Sequence, residues 1–424
     1  MMYAPVFKTK AYLVYLWMVG TNALASTLMF TLNLVYQFQV ARLNPLQLIL
    51  VGTVLEIVSF CSQIPTGVIA DVYSRRLALT PGYFLMGCGF VIVGAFARFD
   101  AILIGNALWG IGATCVDGAQ EAWITDEIGD RDINTVFTRG SQITQIAGLV
   151  GIACSVILGS IALRFPILAG AFLLILLSLL LPLITPEEHF QPVGRAERNS
   201  WQSIQRQFLA AGQAIRLNPL LISLFGESLC LGLASEGFDR LNQAYFLQNF
   251  SFPSFWALTP VIWFGIMSAA SSLLSIAVSE IVNRRINMQK MRAIILTLLA
   301  IDLVLMVGIV IFALAGNFFL ALLTFCLVSV ARTARRPIYR TWTTHSTDSR
   351  VRATIFSVAA MVDSGGQIAG GPVVGSIGQR YSIRSALVVT GLLLSPVLPF
   401  ALRALRVVRK DKRELPLENS SPDR

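Results

Sequence analysis

Long apolar runs, each about the length of a membrane crossing, follow one another along the chain with brief polar interruptions. A helix spanning the hydrocarbon core needs about 20 residues at 1.5 Å each. Charge gaps and turn residues mark twelve such stretches, at about 11–39, 45–70, 77–97, 101–126, 140–163, 165–184, 219–248, 255–282, 291–315, 317–340, 352–378 and 383–405. Asn44-Pro45, Asn218-Pro219 and Phe252-Pro253-Ser254 stop one helix or start the next, and Gly316-Asn317 reads as a tight turn. The runs are continuous and lack the period-two alternation of a membrane barrel. The pattern predicts an all-α polytopic membrane protein with twelve transmembrane helices.

Composition agrees. Of 424 residues, 55% are hydrophobic and 13% charged, against roughly 25% charged in soluble chains. A mean hydropathy of +0.68 is too high for one solvated globule. The uncharged run from Ala11 to Ala41 is too long for a cleavable signal peptide. The six cysteines all sit in apolar runs, no CxxC occurs, and the only histidines are His189 and His345. No metal site, disulfide framework or cofactor is expected.

The net charge of +10 raises the question of nucleic acid, but its distribution points to a membrane surface. With the N-terminus inside, twelve spans return the C-terminus inside, and 27 of the 33 basic residues fall on that side. The outer loops hold only Arg42, Arg98, Arg164, Arg380 and Arg384. That asymmetry predicts cytoplasmic termini facing anionic lipid and no nucleic-acid partner.

The longest polar stretch lies near the middle and divides six spans from six. Residues 1–184 form an N-terminal six-helix bundle in this reading, 185–218 a cytoplasmic linker, 219–405 a C-terminal bundle and 406–424 a polar tail. Within the linker, Trp201, Ile204, Phe208 and Ile215 recur at helical spacing beside Arg198, Arg206 and Arg216, the pattern of an amphipathic helix on the membrane surface. The halves echo each other. Asp71-x-x-x-Arg75-Arg76 follows the second span, and Glu280-x-x-x-Arg284-Arg285 the eighth. Gly159-Ser160-Ile161-x-x-Arg164 closes the fifth, and Gly375-Ser376-Ile377-x-x-Arg380 the eleventh. The offsets of 209 and 216 residues indicate a duplicated, pseudo-symmetric six-helix unit. Transporters of that design bind their cargo near the midplane between the halves.

The segment Gly67-Val68-Ile69-Ala70-Asp71-Val72-Tyr73-Ser74-Arg75-Arg76 resembles the loop signature of the major facilitator superfamily. Gln63-Ile64-Pro65-Thr66-Gly67 is similar to a segment of its bacterial drug-efflux and tetracycline-resistance-like branch, with Gln in place of that branch's Glu. The stretches Asp117 to Asp126 and Ser235 to Leu241 resemble the same branch. The glycine-proline signature of many drug/proton antiporters is absent from the fifth span; Gly370-Gly371-Pro372-x-x-Gly375 stands in the eleventh instead. The resemblance implies alternating access by two bundles. It also implies a cytoplasmic gate motif at Gly67, Asp71, Arg75 and Arg76 that ties the halves together in one state, with Arg131 or Arg139 as possible partners of Asp71.

A carboxylate at membrane depth costs several kcal/mol unless paired or protonated, so it usually marks a pathway. Counting from span ends places Glu56, Asp117 and Asp363 near the midplane and Glu227 in the cytoplasmic third of the seventh span. Asp117 and Glu121, four apart on one predicted helix face, are the first candidates for proton coupling, with Glu56, Asp363 and Glu227 next. Glu236 and Arg240 are also four apart, with Asp239 adjacent, and suggest a gate pair or a plain structural one. Asp302 falls in the ninth span, which the resemblance places toward lipid, and an interhelical hydrogen bond is the one account of it. Arg332, Arg335, Arg336 and Arg340 gather at the cytoplasmic end of the tenth, as headgroup anchors or, for Arg332 and Arg336, as anion attractors at the cavity mouth. Trp123 suggests either interface packing or a contact for a flat substrate. Cavity acids outnumber cavity bases in this reading, which suits a neutral or cationic solute.

These features predict a monomeric secondary transporter of a small organic solute in the bacterial inner membrane, with protons as coupling ion, exporting an amphipathic drug-like compound. Nutrient uptake and export of a metabolite such as a siderophore are the rival transport readings. A membrane-embedded enzyme finds no GxSxG elbow or metal cluster to support it, and a transport-dead receptor leaves the midplane acids without a purpose. No ATP-binding loop is present, so the energy comes from a gradient, of protons or of sodium, or from the solute itself.

Overall fold

The computed structural model describes residues 9–129, 132–190, 212, 218–253, 258–285, 290–347 and 352–414. Most of the linker, Arg131 and the last ten residues lie outside them, as do the side chains of Asp71, Arg284 and Arg285. Within them the chain is helical without strands: α1 (Lys10–Gln39), α2 (Pro45–Val72), α3 (Arg75–Ala95), α4 (Phe99–Val116), α5 (Ala119–Ile128), α6 (Ile133–Ile161), α7 (Arg164–Ile184), α8 (Pro219–Asn249), α9 (Pro260–Arg285), α10 (Met291–Leu314), α11 (Phe318–His345), α12 (Arg352–Arg380), α13 (Ile383–Leu392) and α14 (Val397–Glu414).

The polar punctuation sets the helix starts. Asn44 caps α2 in a reciprocal pair with Gln47, and Pro45 occupies the first turn, where its missing N–H costs nothing. Asn218 with Pro219, Ser74, Asn317 and Ser382 cap α8, α3, α11 and α13 in the same manner. Asn317 is thus the cap of α11 as well as part of the turn before it.

Two predicted spans are each two helices. The fourth breaks after Asp117, because Gly118 takes φ 78°, a left-handed conformation that glycine adopts at little cost. Asp117 ends α4 and Glu121 opens α5, so they do not share the continuous helix face the four-residue spacing suggested. The twelfth breaks at residues 393–396, where Pro396 has no N–H to bond back to Leu392. Counting each pair as one, eleven helical stretches among the described residues are long and apolar enough to cross a membrane. The twelfth long helix, α12, is too rich in Gly, Ser, Gln and Asp to meet that test, and its place explains why: it is packed between other helices.

Helices α1 to α7 pack into one bundle and α8 to α14 into the other. The bundles meet chiefly along two pairs, α2 against α12 and α6 against α9. These are the second, eleventh, fifth and eighth spans, the four that carry the repeated motifs, so the two contacts are one contact generated twice by the pseudo-symmetry. Glycines permit the close approach on α12. A Cβ on Gly371 would stand 2.6 Å from Thr53 Oγ1, and one on Gly375 2.9 Å from Leu46 Cδ1, while Gly366 and Gly370 face the backbone of Leu229 and Leu233 on α8.

These contacts lie in the middle of the bundle and at the end away from the termini. There Gln243 Nε2 donates to Thr31 O (3.1 Å), and its Oε1 accepts from Val35 N (3.1 Å). Toward the termini end the halves part around a central cavity.

Candidate functional site

The cavity has a volume of about 1140 Å³ and is walled by α1, α2 and α5 of one half and α8, α10, α11 and α12 of the other. Its apolar lining includes Phe30, Leu34, Leu231 and Phe356. Its charged lining is balanced: Glu56, Glu121, Glu236, Asp239 and Asp363 face Arg240, Arg332, Arg335, Arg336 and Arg340. The expected excess of acid is therefore not found. All four arginines of the tenth span line the cavity rather than anchoring at headgroups, because one face of α11 turns toward it.

Pairing sorts these charges. Arg240 Nε meets Glu236 Oε2 at 3.2 Å, and that pair lies against Gly52 of α2, where any side chain would overlap the carboxylate. Glu236 is buried, so the pair closes the floor of the cavity between the halves. Arg332 donates to both oxygens of Asp239, with Nη2 to Oδ2 at 2.8 Å, and stacks over Phe238. Glu56 accepts from Ser364 across the interface (3.0 Å), and Asp363 accepts from Gln367 one turn along α12 (2.8 Å). Glu121 is exposed to the cavity from the first turn of α5. Asp117 is exposed too, but the cavity lining does not include it. Arg336 and Arg340, one turn apart on α11, are exposed with no ion pair described for either.

Asp302 makes an interhelical hydrogen bond, the one account the sequence offered for it. Instead of facing lipid it is 2% exposed, and its Oδ1 accepts from Arg335 Nε at 2.7 Å. Arg335 Nη2 also donates to Glu227 Oε2 at 3.0 Å, and Glu227 is 0% exposed. Glu227 therefore belongs to a triad inside the second half, beside the cavity rather than on its surface. The signal was present: an aspartate inside the apolar stretch of α10, ten residues from that helix's own Arg292, needs a cation, and α11 brings four arginines at helical spacing.

The described contacts at the gate motif lie within its own half. Ser74 Oγ bonds both oxygens of Glu187 (2.9 and 2.7 Å), Arg76 N donates to Glu187 Oε1 (3.1 Å), and Arg75 Nε lies 3.5 Å from Asp126 Oδ2. Gly67 stands in open space within α2. Trp123 is buried, with Nε1 donating to Pro186 O at 2.7 Å, so it pins α5 to the chain after α7 and does not contact the cavity.

A second crevice, of about 1100 Å³, runs between α6 and α9 on the termini side of their contact. Hydroxyl and amide groups line it, among them Ser141, Gln142, Gln145, Ser271, Ser275 and Ser279.

The comparisons agree with this architecture. A bacterial homologue of the human lysosomal transporter Spinster, inward-facing and occupied, superposes with a TM-score of 0.72 over 96% of this chain and 99% of its own, at 14% identity. The peptide transporter POT in complex with sulfate gives 0.71 over 97% and 96%, at 14% identity. The nucleoside transporter NupG gives 0.72 over 95% and 100%, at 15% identity. At such identities these structures share the fold and nothing finer. An MFS-type transporter of Bacillus subtilis (strain 168), YxaM, described as uncharacterized, is 22% identical over 164 residues, 38% of this chain. The match spans 40% of that relative's length. Residues 12–330 match the Major Facilitator Superfamily; with two bundles closing on a shared central cavity, this multi-pass membrane protein belongs to that family.

Proposed function

We propose that the chain is a secondary active transporter that exports a small amphipathic organic compound in exchange for protons. In this reading both termini are cytoplasmic, the membrane is the bacterial inner membrane, and the closed end faces outward. The observation that carries it is the cavity itself. It is open toward the basic side of the protein, sealed on the other side by Glu236–Arg240 on Gly52, and lined by carboxylates from both halves and by arginines of the second half. Those carboxylates are the groups that could exchange a proton across the membrane. Apolar walls suit a hydrophobic cargo, and the crevice between α6 and α9 offers an amphipathic compound a polar-lined path beside the bundle.

The charge balance revises the cargo. Arg336 and Arg340 are the exposed cations without an ion pair described, and guanidinium pairs favour carboxylate, sulfonate or phosphate groups. The compound proposed is therefore amphipathic with an acidic group. The peptide and nucleoside transporters share the fold only, and the drug-efflux branch rests on the resemblance of short segments.

Everted vesicles with a pH-sensitive dye test the reading. Adding acidic amphiphiles to vesicles with an acid interior should release protons when the protein is present. Deletion of the gene should make cells hypersensitive to the same compounds. Equal tolerance in deleted and expressing cells, with faster uptake in the latter, would establish import instead.

A further inference from the structure

We propose that Glu227, Asp302 and Arg335 form a one-proton site, with the proton on Glu227, and that this is where the coupling proton resides. The site stands on its own geometry; its role in transport rests on the proton-coupled reading above.

Three groups from α8, α10 and α11 converge, Arg335 at the cavity wall and the two acids behind it, and the two acids share one guanidinium. Asp302 Oδ1 takes Arg335 Nε at 2.7 Å, and Glu227 Oε2 takes Nη2 at 3.0 Å. The other oxygen of each, Glu227 Oε1 and Asp302 Oδ2, is buried with no hydrogen-bond partner among the described residues. With both acids ionised the triad would carry one uncompensated negative charge in a place where an unpaired carboxylate costs several kcal/mol. One proton removes that charge and converts an orphaned acceptor into a neutral hydroxyl. Asp302, which takes the shorter bond, keeps its charge in this assignment, and the proton sits on Glu227 Oε1.

Among the described residues, Arg335 is the cation that pairs with these acids. The other titratable groups facing the triad are Cys230 on α8, Tyr339 on α11 and Asp363 on α12. From α14, Phe400 packs on Gly226. Tyr339 stacks on Arg335 at 5.0 Å and lines the cavity with Arg335 and Ser228. The proton thus has a short exit: Glu227 releases H⁺ to cavity water and becomes a carboxylate.

Infrared spectroscopy of the purified, lipid-reconstituted protein tests the site without a substrate. At neutral pH the wild type should show the carbonyl stretch of a protonated carboxylic acid, shifted down in D₂O. Glu227→Gln should remove one such band. Asp302→Asn should remove it as well, because Glu227 then becomes the sole, ionised partner of Arg335. Arg335→Gln should add a band, since neither acid retains a cation. If both amide variants, folded by melting temperature, keep the wild-type band intensity, the proposal is overturned. It is equally overturned if sodium chloride, but not choline chloride, raises the melting temperature of the wild type and not of Glu227→Gln, because the triad would then hold a metal cation. In vesicles, Glu227→Gln should retain substrate exchange and lose accumulation driven by a pH gradient. If wild-type vesicles move no compound against such a gradient, the coupling reading falls while the infrared result stands.

Discussion

The four arginines of α11 are one residue type at close spacing, yet their surroundings give them separate tasks. Arg335 is buried between two acids, Arg332 grips Asp239 at the cavity wall, and Arg336 and Arg340 have no carboxylate described against them. Removing one partner of a buried ion pair leaves the others uncompensated, at a cost of about 3–5 kcal/mol. Arg335→Gln should therefore lower the melting temperature markedly, and less so in acid, where the carboxyls of the unfolded chain are protonated too and folding no longer has to take up protons. The double variant Arg336→Gln, Arg340→Gln should melt like the wild type and raise KM for an acidic amphiphile at least tenfold. If the two variants behave alike in both assays, the division of roles is wrong. Sequence reading found these arginines but could not sort them, because a helix has one inward face and only packing decides which residue occupies it. For the same reason it set Asp117 above Asp302: the break at Gly118 and the partner on α11 are both features of three dimensions.

At the scale of elements, most boundaries were legible because they are written in local chemistry. Asn-Pro pairs and capping side chains act within one turn, and the apolar runs between them have no alternative to burial or lipid. What escaped were the two interrupted spans, since a glycine or a proline inside an apolar run is tolerated in many membrane helices. The interface between halves was legible only as a repeat of motifs, not as a contact. Its tightest point is Gly52, whose bare backbone accepts the Glu236–Arg240 pair. Gly52→Ala should wedge α2 from α8 and loosen that end. Thr53 is 4% exposed, so a cysteine placed there reports the change. With Gly52→Ala it should react several-fold faster with a membrane-impermeant maleimide applied from outside than with Gly52 intact. Unchanged labelling would show that the seal lies elsewhere.

For the whole molecule, the fold class was determined by composition and periodicity, whereas the conformation was not. Nothing in a sequence of two similar halves says which end is closed, since both states use the same helices and differ in which ends of α2, α12, α6 and α9 touch. Here the contact at the far end joins Leu46 and Pro45 of α2 to Gly375 and Gly378 of α12. If this chain works by alternating access, that contact must part once in every cycle. A Cβ at position 375 would stand 3.2 Å from the Cα of Leu46, which brings cysteines at 46 and 375 within reach of a disulfide. In a background lacking the six native cysteines, Leu46→Cys with Gly375→Cys should transport when reduced, stop on oxidation and recover with a reducing agent. The oxidised form should still bind an acidic amphiphile from the open side, because the cavity remains accessible there. Full transport by the cross-linked protein would mean that the far end never opens, and that cargo leaves by some route other than between the halves.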